Sequence, residues 1–118
     1  MKIILLGKPR STGGIYKNAV IRGFVHRYMS NEGKKLKESY QWQAKSQWKG
    51  KPLEGDVEVN IIIYFGDKRK NDWDNFHKIS MDALTGVVWV DDSQIQKATV
   101  IKAYDKQNPR IEITIEEV

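Results

Sequence analysis

From Val57 to Phe65 every second residue is apolar: Val57, Val59, Ile61, Ile63 and Phe65 fall on one side of an extended chain, with Asp56, Glu58 and Asn60 opposite. A helix cannot gather that pattern into one stripe, because its facing residues lie three or four apart, whereas side chains alternate along a strand. The segment Asp56–Phe65 therefore predicts a strand that covers a core with one face. Other strands can be placed around it. Lys2–Leu6, bounded by Gly7 and Pro9, predicts a buried first strand, and Ile95–Tyr104 predicts a third. After a turn over Asp105–Pro109, Ile111, Ile113 and Ile115 set the alternation of a last strand, Arg110–Glu116, expected to be the antiparallel partner of the strand before it.

Two segments read as helices. Ser30 is placed as the N-cap of a helix over 31–48, where Leu36, Tyr40, Ala44 and Trp48 recur at intervals of four as its buried stripe. Lys34, Lys35, Lys37, Lys45 and Lys49 fall mainly on its wet side, a solvated helix face with some role in phosphate contact, and Gly50-Lys51-Pro52 ends it. A second helix is expected from Trp73 to Leu84, closed by Gly86, with Trp73, Phe76, Ile79 and Ala83 packing it on the sheet. Val87–Val90 then forms a short strand or turn, and Trp89 is assigned to the core. Residues 8–29 mix turn formers with bases and aromatics and read as an irregular arm with a short strand near Ala19–Val25. Its Gly13-Gly14 pair is no phosphate loop, because the Gly-Lys-Ser/Thr ending is missing. Together the elements predict an α+β fold: a single domain over 1–118, with two α-helices packed on a small mixed β-sheet.

The chain has no cysteine, which excludes disulfides, zinc-thiolate sites and thiol catalysis. No apolar run is long enough to span a bilayer, and the apolar stretch at residues 1–7 is too short for a signal peptide. A soluble, cytoplasmic protein with no membrane association is the expectation. The net charge of +5 is divided unevenly: residues 1–51 hold 12 basic and 2 acidic side chains, residues 52–118 hold 8 and 13. A polyanion would be drawn to the first half, while the second half can hold an acidic pocket. The candidate phosphate contacts are Arg10, Lys17 and Arg27 of the arm, and Lys68, Arg69 and Lys70 of the polar loop Gly66–Asn71.

The densest chemistry lies between residues 71 and 92, where Asp72, Asp74, Asp82, Asp91 and Asp92 surround Lys78. Carboxylates this close in sequence call for a cation among them, either a hard divalent metal with oxygen ligands or local salt bridges. The salt-bridge reading is complete in itself: Asp72 as N-cap, Asp74 in the first turn, and Asp74, Lys78 and Asp82 spaced four apart along one helix face. The metal reading needs the Asp72/Asp74 end brought near Asp91-Asp92, giving an Mg²⁺ or Mn²⁺ site with room for water and phosphate. His77 points away from Lys78 on that helix, and nothing marks His26 as a ligand.

Asp72-Trp73-Asp74-Asn75-Phe76-x-Lys78, then Asp82-Ala83-Leu84 and Asp91-Asp92-Ser93-Gln94, resembles the signature of the RusA family of Holliday-junction resolvases. Pro9-x-Ser11, Tyr16 and Ser30-x-Glu32-Gly33 extend the resemblance upstream. It departs at Gly13-Gly14, where the family commonly carries Asn, and in a short spacing from Leu84 to Asp91. The resemblance implies a RusA-like fold and a homodimeric, Mg²⁺-dependent endonuclease, with no organic cofactor, that cuts four-way DNA junctions by paired symmetric nicks. By the same resemblance Asp72, Asp74 and Asp92 would be the catalytic metal-binding carboxylates, Asp91 a supporting or additional ligand, and Lys78 the catalytic lysine. Asn75 and Asp82 would support the site or the fold. Two other readings remain open on the sequence: a catalytically silent junction binder, and a metal-dependent nuclease acting on other branched DNA. For a dimer interface, the N-terminal strand and the Ile62/Tyr64 face are the candidates.

Overall fold

The computed structural model describes residues 1–7, 9, 16–21, 23–66 and 78–118, with the backbone alone for 16–21, 24–29 and 78. Its elements, in chain order, are β1 (Lys2–Leu6), β2 (Tyr16–Ile21), β3 (Phe24–Met29), α1 (Asn31–Gln47), β4 (Val57–Phe65), α2 (Lys78–Leu84), a 3₁₀ turn (Asp92–Gln94), β5 (Ile95–Tyr104) and β6 (Arg110–Glu117). The alternation at Val57–Phe65 is realised as expected. All five of its apolar residues are buried against the core, each such side chain contributing about 1.5–3 kcal/mol.

β1, β6, β4 and β5 form one four-stranded mixed sheet in that order. β6 is antiparallel to β1 on one side and to β4 on the other, while β5 is parallel to β4. This corrects the expected hairpin of the last two strands, because β4 lies between β5 and β6. The register explains why. Ile111, Ile113 and Ile115 stand opposite Ile63, Ile61 and Val59, so the central position lets β6 bury its apolar face between two strands. A parallel pair such as β4–β5 needs a long crossover, usually through a helix, and residues 66–94 with α2 provide it.

Both helices pack on one face of the sheet. Tyr40 and Ala44 of α1, Ile79, Ala83 and Leu84 of α2, and Val88 and Trp89 just beyond join the strand residues in a single core. Leu36 and Trp48, the other two members of the expected α1 stripe, pack half-buried against it. Ser30 caps α1 by accepting the Gly33 N–H at 3.1 Å. The outer edge of β1 is closed by α1: the Gln47 side chain accepts the Ile4 N–H at 2.8 Å and donates to the Ile4 carbonyl at 2.7 Å. Gln43 does the same for Leu6, at 2.6 and 3.2 Å. Two amides one helical turn apart thus bond alternate residues of the strand, as a neighbouring strand would.

Residues 16–29, expected as an irregular arm with one short strand, form a two-stranded antiparallel hairpin from Tyr16↔Met29 to Ile21↔Phe24. Gly23, with φ +81°, turns the chain. A two-residue connection ending in Gly between Ala-Val-Ile and Phe-Val was the available sequence signal. Among the described residues no helix is long and apolar enough to cross a membrane.

Candidate active site

The acid-rich segment divides at the limit of the described residues. Asp72 and Asp74, with Lys68, Arg69, Lys70 and the expected first turns of the second helix, lie outside them, as does Arg10. Lys17 and Arg27 are placed by backbone register alone, opposite Tyr28 and Asn18 in the β2–β3 hairpin. Lys78 opens the described part of α2, and Asp82 follows one turn later. The side-chain geometry that is visible belongs to Asp91, Asp92 and their neighbours.

Several bonds fix the end of α2 that leads to these acids. Gly86, at φ +90°, ends the helix as its position predicts, and its N–H donates to the Trp89 carbonyl at 2.7 Å. Trp89 is fully buried and its indole N–H donates to Thr85 Oγ1 at 3.0 Å. The expected strand or turn at 87–90 is a turn that bridges to Leu53: Leu53 N–H donates to the Val88 carbonyl at 2.7 Å, and Val90 N–H to the Leu53 carbonyl at 3.2 Å. From Lys78 to Leu84 the helix advances by about 9 Å at 1.5 Å per residue. Asp82 is therefore nearer than Lys78 to the end that carries Asp91 and Asp92.

The Asp91-Asp92-Ser93-Gln94 turn is held by Gln94. Its Oε1 accepts the Asp91 N–H at 2.8 Å, while Nε2 donates to the Leu53 carbonyl at 2.7 Å and the Gly55 carbonyl at 2.8 Å. Asp91 and Gln94 are the ends of a capping box, a pattern readable as Asp-x-x-Gln but assigned no role by the sequence reading. The register Val57↔Ile95 then sets the turn at the end of the sheet where β4 begins.

The two acids are both exposed but differently engaged. The Ser93 hydroxyl donates to Asp91 Oδ2, and this bond, ahead of the backbone N–H groups of Ser93 and Asp92, holds the Asp91 carboxyl below its usual pKa. Asp91 thus remains ionised and is partly spent inside its own turn. Among the described residues no three acids or histidines gather closely enough to hold a metal ion. Asp91 and Asp92 offer oxygen donors suited to a hard cation, and further ligands would have to come from elsewhere in the chain.

A second charged group runs from the opposite end of the sheet, at Arg110, to Lys2 near its middle. Arg110 donates from Nε to Glu112 Oε2 and from Nη1 to Asp105 Oδ2, both at 2.7 Å, and its guanidinium stacks 3.9 Å from the Tyr64 ring centroid. Lys2 completes the group, 2.6 Å from Glu112 Oε1. Lys2 first and then Arg110 lower the Glu112 pKa, and Arg110 lowers that of Asp105. Asp105 also accepts the N–H groups of Gln107 and Asn108, which shapes the β5–β6 turn. Every acid here already has its cation, so the group ties strands together.

Comparison with known proteins agrees with the motif. Residues 7–116 match the model of the family described as Endodeoxyribonuclease RusA. The chain is 32% identical over 116 residues to the crossover junction endodeoxyribonuclease rusA of Enterobacteria phage 82, covering 98% of this chain and 93% of that protein. It is 31% identical, with the same coverage, to the crossover junction endodeoxyribonucleases RusA of Escherichia coli (strain K12) and Shigella sonnei (strain Ss046). With its α+β fold, its Asp-Asp-x-Gln turn and a family match that spans nearly its whole length, this chain belongs to the RusA family of endodeoxyribonucleases.

Proposed function

We propose that this chain is a metal-dependent crossover junction endodeoxyribonuclease, hydrolysing phosphodiester bonds in four-way DNA junctions by paired symmetric nicks during recombination and repair. The observation that carries the reading is the family match over residues 7–116, which contains the whole acid-rich signature from Asp72 to Gln94.

In this reading Asp72, Asp74 and Asp92 are the principal carboxylates and Mg²⁺ the cation they hold, with Mn²⁺ as a substitute. Bound there, a hard divalent ion would lower the pKa of an attacking water and polarise the scissile phosphate. Asp92 is favoured over Asp91 as ligand because Ser93 occupies an oxygen of Asp91. Asp91 then supports the turn and supplies negative charge beside the ion. Lys78, on the first described turn of α2, is assigned to a phosphate oxygen or to the charge that develops on it in the transition state. Arg10, Lys17, Arg27, Lys68, Arg69 and Lys70 are assigned to the DNA backbone, where phosphate contacts position the substrate without reading sequence.

A four-way junction presents two equivalent strands, so a two-fold homodimer can place one site on each. The chain acts as a single domain over 1–118, in the cytoplasm. The test is cleavage of a synthetic mobile four-way junction with Mg²⁺, using Asp74→Asn as the control. Paired nicks from the wild type alone, with junction binding retained in the variant, are expected. Tight binding without nicks in either Mg²⁺ or Mn²⁺ would overturn the catalytic reading.

A further inference from the structure

An open cleft of about 450 Å³ lies at the C-terminal end of α1, lined by residues 1–3 and 47–51, and contains none of the acids discussed above. Its rim is cationic. Lys2 is taken up by Glu112, but Lys49 and Lys51 are exposed and have no carboxylate at ion-pair distance among the described residues. Trp48 lines the cleft, half-buried, and its indole N–H donates to the Lys51 carbonyl at 3.2 Å. That bond ties the backbone carrying both lysines to the indole.

The topology relates this cleft to the acidic turn. β1, β4 and β5 all run in one direction, but Lys2 is level with Asn60, so β1 starts three residues, about 10 Å, further along than β4. The order β1-β6-β4-β5 separates the first strand from the last by three strand spacings, about 14 Å. Residues 48–56 cross that end, from the cleft to the Leu53 and Gly55 carbonyls that Gln94 binds. With that offset the first residues of β1 and β5 lie about 17 Å apart, about five steps at the roughly 3.4 Å rise of a DNA strand, and residues 48–56 link the unpaired lysines beside the one to the carboxylate turn before the other.

We infer that Lys49 and Lys51, beside the Trp48 indole, form a second DNA-backbone site that holds phosphates a few nucleotides from the one to be cut. The inference rests on the nuclease reading for its substrate and on the cleft for its place.

Junction affinity measured without divalent metal, over about 50–200 mM salt, tests it for the wild type, Lys49→Gln/Lys51→Gln and Lys106→Gln. Each lost phosphate contact removes about 0.9 from the slope of log K against log salt. The double variant is expected to lose about 1.8 from that slope, so that its deficit against the wild type grows about twelvefold as salt falls from about 200 to about 50 mM. Lys106→Gln removes a charge from the opposite end of the sheet and should leave the slope unchanged. Phosphate ethylation a few nucleotides from the cut should weaken the wild type and not the double variant. Equal slopes for wild type and double variant, or an equal loss per charge in Lys106→Gln, would overturn the site. Matching melting temperatures establish that both variants fold. Wild-type nicking of the junction is scored separately: if it occurs while the slopes stay equal, only the cleft inference fails; if it is absent with Mg²⁺ and Mn²⁺, the nuclease reading fails.

Discussion

Gln94→Ala removes one side chain and three hydrogen bonds, those to the Asp91 N–H and to the Leu53 and Gly55 carbonyls. The bond to Leu53 is part-buried and contributes about 1 kcal/mol; the two exposed ones contribute about half as much each, for a total near 2 kcal/mol. At this chain length 1 kcal/mol corresponds to about 4 °C in melting temperature, so a fall of about 8 °C is expected. The effect on cleavage should be larger. Without Gln94 the turn keeps its chemical groups but loses its tie to the 53–55 segment, and a misplacement of about 1 Å in a catalytic group can cost about 100-fold. Single-turnover cleavage of a saturated junction is expected to slow by that order, with junction affinity little changed. Gln94→Glu sharpens the experiment: it keeps an acceptor for the Asp91 N–H, loses both donors, and sets a carboxylate against two carbonyl oxygens. It should be less stable than Gln94→Ala. Wild-type cleavage by folded Gln94→Ala would refute the positioning role even if the melting temperature fell as calculated.

Asp92→Asn is expected to abolish cleavage while retaining junction binding, whereas Asp91→Asn, at a carboxylate already engaged by Ser93, should retain measurable cleavage; single-turnover rates separate them. The Glu112 and Asp105 pKa values are lowered in the folded chain, so their stabilisation is complete above the unfolded values near 4.5 and 3.8 and is lost as pH falls through the lower folded ones. Melting temperature measured from pH 6 down to pH 3 should therefore drop on the acid side, and Arg110→Ala should lower the plateau while flattening that drop. Gly86→Ala places a side chain at φ +90° and should cost about 1–2 kcal/mol, or about 4–8 °C in melting temperature, without altering junction affinity.

The features legible in sequence were those set by neighbours along the chain. Alternation placed β4 and β6, the Ser30 cap and the spacing of Tyr40 and Ala44 placed α1, and Gly86 placed the end of α2. Strand adjacency was not legible, because Ile111, Ile113 and Ile115 show the same alternation whether they pair with β5 or with β4. Arg22-Gly23 held the signal for the hairpin, obscured by the polar residues around it. Asp91 and Asp92 stand out by charge, but the residue that fixes their turn is an uncharged amide whose partners, Leu53 and Gly55, are about 40 positions away. Asp72, Asp74 and the basic loop before them rest on the motif alone.

The glutamines that close β1 also give the sheet a direction. A four-stranded sheet has two lateral edges, and bare backbone on both would let copies stack without limit. Gln43 and Gln47 occupy the N–H and C=O groups of Leu6 and Ile4, so that side cannot receive another strand. β5 lies at the other margin and has no outer strand among the described residues. Among the described residues, growth of the sheet by strand addition is therefore confined to β5, and two copies joined there would each present a closed β1 outward. The sheet could pair once and then stop.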